Sequence, residues 1–520
     1  MATRSGWLLL LVLSPAVVGQ ETLFEPAESC RLCHSRIQSG GQMVAPYALW
    51  PGSMMANAAR DPYWLAKVRY EIATTPAAAV AIEDKCLRCH APANQYVTRA
   101  KGGMRLAQLP EGGGEGVTCT VCHQIKADGL GKAASFTGGF EINADHKIYG
   151  PHADPFEMPM LHHTGYTPAE GKHILESSLC GSCHTVITPT LDAQGVKQGD
   201  FIEQAPYLEW LASDFPRAGV TCQSCHVPPI KDAAGKLTPT FIAHMPPGRP
   251  FPPTEPRTPF GLHFFAGANG AMLSLLGRLE PERMPQLERT AQRAREMLRS
   301  ALLVEPSATR KEGRLQLDVD VRNLTGHKVP TAFPSRRVWL HVLVTAADGS
   351  KVFESGEWDA KTSEIAGGEQ PHYAVISKPS QAMIYEATYR DSEGKSTMSL
   401  LRAASYGKDN RILPRGFDAT RVLPGGWKAD RIAAAGVSDA GFQPGVHRVR
   451  YDIANSQGAN RVVVEACYQS IAPRHVASLG DAKHIDIERF RRLYGPGQTP
   501  EVIARVEVDL SREAAQSNPD

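Results

Sequence analysis

The sequence has almost no net charge, no run of like charge and, beyond its first twenty residues, no long apolar segment. Its 56 Lys and Arg stand against 54 Asp and Glu, a balance of +2 over 520 residues. That excludes the basic face with which proteins hold nucleic acid or an anionic membrane surface. A spanning helix needs roughly 20 consecutive apolar residues, so the mature chain is expected to have no transmembrane segment. No cysteine follows the N-terminal apolar stretch, so a lipid anchor is not indicated. What remains is an ordinary globular composition, 42% apolar and 21% charged, long enough for two domains with their own cores.

The N-terminus reads as an export signal. Arg4 gives the positive start, residues 7–13 (Trp-Leu-Leu-Leu-Leu-Val-Leu) the apolar stretch, and Val17 and Gly19 the small residues before a cleavage point near Gln20. Residues 1–19 are therefore expected to be a signal peptide, and the protein to be periplasmic or extracellular. Eleven cysteines in an exported chain would ordinarily mean a disulfide scaffold. Their spacing rejects that.

Ten of the eleven fall into one pattern: Cys30-Arg-Leu-Cys33-His34, Cys86-Leu-Arg-Cys89-His90, Cys119-Thr-Val-Cys122-His123, Cys180-Gly-Ser-Cys183-His184 and Cys222-Gln-Ser-Cys225-His226. At this composition a chance Cys-x-x-Cys-His is expected on the order of 0.01 times in the chain. Two thiols three positions apart on a turn of helix reach the two vinyl groups on one edge of a porphyrin, and the adjacent histidine swings beneath the macrocycle to bind iron. Zinc ribbons pair Cys-x-x-Cys knuckles without requiring a histidine after each, and a thioredoxin-like pair occurs once, in a strand–helix unit. The pattern predicts five c-type haems, with His34, His90, His123, His184 and His226 as proximal ligands.

Successive first cysteines are 56, 33, 61 and 42 residues apart, too irregular for a repeat array. Residues 20–280 are expected to form a haem domain of short helices and loops, with a helical stretch at 54–70 interrupted at Asp61-Pro62. A connecting helix is predicted over 281–304, with Leu287, Ala291, Ala294, Met297, Leu298 and Ala301 on one face. The period then changes. Residues 315–321 alternate as a strand, and 338–344 and Val352-Phe353 flank Asp348-Gly349 as a hairpin. Residues 382–389, 448–453, 462–468 and 502–510 are further strands. At least six strands suggest an all-β sandwich of the immunoglobulin or fibronectin type over 305–512, followed by a tail, 513–520. Cys467 lies in an apolar strand and reads as a small buried side chain.

Five axial positions remain to be filled. Seven non-motif histidines precede residue 270: His146, His152, His162, His163, His173, His244 and His263. Spacing does not say which serves which iron. Met55 is another candidate, since a methionine ligand raises the potential relative to a second histidine; the alternative is a packed methionine. His327, in Asn323-Leu-Thr-Gly-His-Lys-Val-Pro-Thr, sits in a loop leaving the first expected sandwich strand, where function often resides. It either reaches across to ligate a haem or bonds within its own loop.

The chain resembles the multihaem cytochromes of the cytochrome c-554 type. The resemblance is carried by the segment from Tyr47-Ala-Leu-Trp through Asp61-Pro-Tyr-Trp, by Phe201-Ile-Glu-Gln with Tyr207-Leu-Glu-Trp, and by Tyr406-Gly-Lys-Asp-Asn-Arg-Ile-Leu-Pro. His263-Phe-Phe-Ala-Gly-Ala-Asn is similar to a pattern whose histidine is axial. Gly326-His327-Lys-Val-Pro-Thr is similar to a loop of β-domains attached to such cytochromes. The resemblance raises His263 and His327 above His163, His173, His146 and Met55 as distal candidates. It implies an electron carrier, while some relatives are redox enzymes acting on small nitrogen compounds. The chain lacks the Cys-x-x-Cys-Lys site of pentahaem nitrite reductases and has fewer motifs than octahaem hydroxylamine oxidoreductases, which argues against either activity.

The expected function is thus electron transport between redox partner proteins through closely spaced haems. The alternative is an enzyme acting on a small nitrogen or sulfur compound at a five-coordinate haem. Self-assembly through the β-domain, as a subunit of a larger conduit, is compatible with the first.

Overall fold

A computed structural model describes residues 22–110, 113–480 and 482–511. The expected signal segment 1–19 and tail 513–520 lie outside them. Among the described residues no helix is long and apolar enough to cross a membrane.

The first half is built from short pieces. Four motifs sit on helices of one turn or little more, Arg31–His34, Cys119–Cys122, Ser177–Gly181 and Cys222–His226. The longer helix α1 (Pro62–Thr74) starts where the sequence places a break: Pro62 occupies its first turn, and the Asp61 carboxylate caps it by accepting the N–H of Tyr63 (2.9 Å) and Trp64 (3.2 Å). Helix α2 (Ala79–His90) ends on the second motif. Helix α3 (Pro206–Leu211) precedes the fifth. Helices α4 (Gly270–Leu279) and α5 (Met284–Arg299) pack together and lead out of this half, α5 burying Leu287, Ala291, Ala294 and Leu298.

Helix α5 is shorter than the sequence suggests. It stops at Arg299, and the strand β1 (Leu302–Lys311) begins where the helix was expected to run on to 304. Leu302 and Val304 are buried and Leu303 exposed, so two residues after the helix the period is already that of a strand. Pro306 is tolerated because β1 is an edge strand.

Strand β1 pairs with β2 (Arg314–Asn323), β3 (Arg337–Ala346) with β4 (Lys351–Ser355), and β5 (Val446–Ile453), β6 (Ala459–Gln469) and β7 (Glu501–Asp509) complete the frame. One sheet runs Val375–Ile376, β5, β2, β1; the other runs β4, β3, β6, β7. The chain thus distributes its strands between two sheets as fibronectin- and immunoglobulin-type sandwiches do. Registers such as Leu317 opposite Tyr451, and Leu340 opposite Ala466, align the inward residues. Leu315, Leu317, Val319, Val321, Val342, Val344, Val462 and Val464 are wholly buried between the sheets. The same core takes in Phe136, Ile202, Tyr207 and Leu208 of the first half. The two halves share it.

Two further departures have physical causes. The strand expected over 382–389 is split at Glu386, whose buried carboxylate pairs with Lys408 (2.7 Å) and Arg474 (2.7 Å). Ile384–Tyr385 stays with β3, whereas Ala387–Arg390 joins Ser396–Thr397 and Ser405–Asp409 in a small sheet. That sheet leans on the first half: Glu71 accepts from the Ser399 hydroxyl (2.6 Å) and the Leu400 N–H (2.9 Å), and Tyr389 OH donates to Glu203 O (3.0 Å). Helix α6 (Ile485–Tyr494), absent from the sequence reading, buries Ile487 and Phe490 against Tyr63 of α1. Cys467 is fully buried among Trp339, Ile365 and Ile384, and burial pushes its thiol up to about 12.

Candidate haem sites

None of the eleven cysteines forms a disulfide. Six of the ten motif thiols meet in pairs across motifs: Cys30 lies against Cys119, Cys89 against Cys183, and Cys180 against Cys222, the two members of each pair perturbing one another's ionisation. Cys122 in turn feels Cys183. Numbered along the chain, the first motif therefore neighbours the third, the third the fourth, and the fourth both the second and the fifth. Tyr207 of α3 supports the fourth, its ring lying over Gly181, where a Cβ would come within 2.6 Å of Cδ1.

Four of the five motif histidines donate through Nδ1 to a backbone carbonyl: His34 to Ile242 (3.1 Å), His90 to Ala58 (2.9 Å), His123 to Tyr149 (2.6 Å) and His226 to Ala266 (2.7 Å). A carbonyl only accepts, so the proton is on Nδ1 and the Nε2 lone pair is free. That is the tautomer and orientation of a histidine metal ligand. Trp64 lies flat on His90, rings 4.3 Å apart and 3° from parallel. Burial holds His90 and His184 at about 4, so both are neutral and able to ligate near pH 7. His184 is the most exposed of the five motif histidines.

Two distant histidines face two of these rings. His263 stands 6.3 Å from His123, centre to centre, with the planes 18° apart. His327 stands 6.3 Å from His226 at 17°. With a metal–imidazole bond of about 2.0 Å and about 1.1 Å from nitrogen to ring centre, two imidazoles sharing one metal end to end have centres roughly 6 Å apart. Both distal rings direct Nδ1 at a carbonyl, His263 at Gly261 (2.8 Å) and His327 at Lys328 (2.9 Å), leaving Nε2 free. His327 thus bonds within its own loop while its ring faces His226 of the first half. Residues and spacing fit an iron at each pair.

Comparison with known proteins agrees with this chemistry. Residues 29–124, spanning the first three motifs, match the family model described as cytochrome c554 and c-prime. A penta-haem cytochrome c552 from Thermochromatium tepidum shares the fold, with a TM-score of 0.53 at 16% identity, over 94% of this chain and 100% of that one. Among curated proteins none matches. The chain is thus similar to multihaem c-type cytochromes, by sequence over residues 29–124 and by fold over most of its length. That likeness, with the five attachment motifs, supports haem c as the cofactor and haem-based electron transfer as the chemistry.

The remaining candidates are placed differently. His163 and His162 are exposed on the surface helix Met158–Thr164. His146, at φ 51°, packs its ring 5.2 Å from Tyr166. His173 is buried but spends Nε2 on Ile125 O (2.8 Å), the reverse of the motif histidines. His244 donates from Nδ1 to Arg36 O (3.2 Å), directly behind His34. Met55 is half-buried, and its carbonyl accepts from Val117 N–H (2.9 Å) just ahead of the third motif, whereas Met54 belongs to apolar clusters.

A further histidine cluster, not foreseen from sequence, lies in the sandwich: His372, Asp439 and His447, with ligand atoms within 4.8 Å of one another. Its protons are already committed. Asn410 Oδ1 accepts from Glu386 N–H (3.0 Å), so its Nδ2 donates both to Ile384 O (2.8 Å) and to His372 Nδ1 (3.2 Å). His372 must then carry its proton on Nε2 and give it to Asp439 (3.3 Å). His447 accepts from Tyr385 OH (2.9 Å) and donates to the same carboxylate (3.0 Å). The sandwich uses this group as a closed hydrogen-bond network.

Proposed function

We propose that all five motifs carry haem c and that the exported protein passes electrons between redox partners through them. The observation that carries this reading is the pairing of His263 with His123 and of His327 with His226 at the spacing of a shared metal, beside a continuous line of neighbouring motifs. Haem iron supplies the one-electron chemistry; the chain's part is to hold, order and insulate it. Residues 20–280 serve as the haem-bearing unit. The thiols fix each site covalently, Nδ1–H···O=C bonds fix four of the five proximal rings, and burial favours the neutral form of His34, His90 and His123. The order of thiol neighbours makes the fourth motif a junction between the first–third arm and the second and fifth. The sandwich, residues 305–512, contributes His327.

A second reading is an enzyme acting on a small nitrogen or sulfur compound at a five-coordinate iron. Its seat is His184, the one motif histidine whose ring has neither a hydrogen bond nor a facing imidazole among the described residues. Arg336 bears on it electrostatically, a cationic neighbour suited to an anionic substrate.

Electron paramagnetic resonance of the oxidised protein, with haem counted by pyridine haemochrome, separates the two. A carrier gives five haems, all low-spin. One stoichiometric high-spin signal that shifts with nitrite, hydroxylamine or sulfite assigns the enzyme. Fewer than five haems refutes the first statement of the proposal.

A further inference from the structure

Helix α3 touches the surroundings of the fifth motif on two sides. Trp210 Nε1 donates to Val220 O (2.8 Å), fixing the chain two residues before Cys222. Glu209, fully buried, faces the sandwich loop 323–331. Its Oε2 accepts both the backbone N–H of Lys328 (3.0 Å), next to His327, and the hydroxyl of Thr331 (2.5 Å).

Within the loop, Asn323 Nδ2 and Thr325 Oγ1 donate to His327 O (2.7 and 2.9 Å), which shapes the turn but does not locate it against the first half. Location comes from α3. Gly326 lies so close that a Cβ would stand 3.0 Å from Trp210 Cδ1 and 3.1 Å from Phe215 Cγ. Behind the loop, Lys328 Nζ donates to Asp409 (2.6 Å), and Asp409 also takes Arg411 (2.7 Å), whose other side faces Glu209 Oε1 at 3.9 Å. A buried carboxylate is costly unless charge and hydrogen bonds answer it. Here it is answered by the loop that presents an imidazole.

We propose that Glu209 is a positioning residue for the axial bond between His327 and the fifth-motif iron, so that one short helix holds both sides of that iron, the attachment side through Trp210 and the far side through Glu209. This rests on His327 being a ligand. A carboxylate oxygen shared by a backbone N–H and a hydroxyl makes short, directional, charge-assisted bonds. Outer partners of this kind are typically worth about 10- to 100-fold in metal–ligand affinity.

The test uses full-length holoprotein carrying Glu209→Ala, Glu209→Gln, Thr331→Val or His327→Ala, with haem count, spin state and uptake of added imidazole as readouts. Glu209→Ala is expected to keep its haem count while one haem turns high-spin, or takes up added imidazole about 10- to 100-fold more readily than wild type. Glu209→Gln keeps an oxygen that can accept both bonds and restores the low-spin signal; Thr331→Val falls between. Should His327→Ala produce the high-spin haem while Glu209→Ala and Thr331→Val match wild type, the clamp is overturned and the ligand stands. Should His327→Ala leave every haem low-spin, the ligand reading falls, and the clamp with it. If Glu209→Ala yields no holoprotein, Thr331→Val decides, wild-type imidazole uptake overturning the proposal.

Discussion

The haem half and the sandwich bury their apolar residues in opposite ways. In the sandwich, inward residues of both sheets form one continuous core with Leu317, Val319, Val342 and Val464 wholly enclosed. In the haem half the apolar residues fall into small separate groups, around Leu87 and Trp64, around Val121 and Phe140, around Ile37 and Phe260, and around Trp50. The motif cysteines and histidines lie beside such groups, half-buried except for Cys225 and His184, which are exposed. One half is held together by its own side chains; the other is arranged around groups that are not amino acids.

The largest expected effect breaks the comparison open. Expressed without haem attachment, the chain should lose its protease resistance over residues 22–280 while a fragment beginning near Leu302 survives. Equal protection of both halves would show that the first half has a sufficient core of its own. Next, Leu317→Ala should cost about 2–5 kcal/mol of sandwich stability, as cavities in closed cores do, with the haem spectra unchanged in the native state. A loss well below that range in thermal or denaturant unfolding would mean that the sandwich core can collapse around the gap.

The smallest effect concerns Glu203, buried in the haem half with the Gln204 amide as its side-chain partner (2.9 Å). Burial pushes its carboxyl up to about 7 from an ordinary 4.5. The folded state therefore binds this proton more tightly than the unfolded state. Its contribution is most favourable below about pH 4.5, declines as pH rises toward 7, and is constant above; the swing is on the order of 3 kcal/mol. Denaturant titrations at about pH 5 and pH 8 should show that Glu203→Gln flattens this decline. An unchanged slope would place the proton elsewhere.

What the sequence made legible follows the same division. Haem attachment is written locally, because two thioethers and an iron bond demand five consecutive positions. The sandwich strands are legible through their two-residue period. Strand β1 was hidden by the helix before it and by Pro306, and α6 by a short amphipathic pattern that becomes informative only when Tyr63 is known to lie beneath Phe490. The split of residues 382–389 depends on Glu386 meeting Arg474, far along the chain. The facing of distant histidine rings was the least accessible. His263 meets His123, and His327 meets His226, across separations set by the whole fold, and nothing in a loop histidine's neighbours names the ring it will face. Resemblance singled out these two loops, and only the fold sets which motif histidines they face.

The shared core also has a mechanical meaning. Two domains joined by a linker and a modest polar interface swing relative to each other by default. Here Tyr207 and Leu208 sit in the same packed interior as Leu317 and Val464, which makes the joint a weld instead of a hinge. Whatever grips the sandwich from outside thereby holds the haem-bearing half at a set distance and angle, like a tool fixed in its handle.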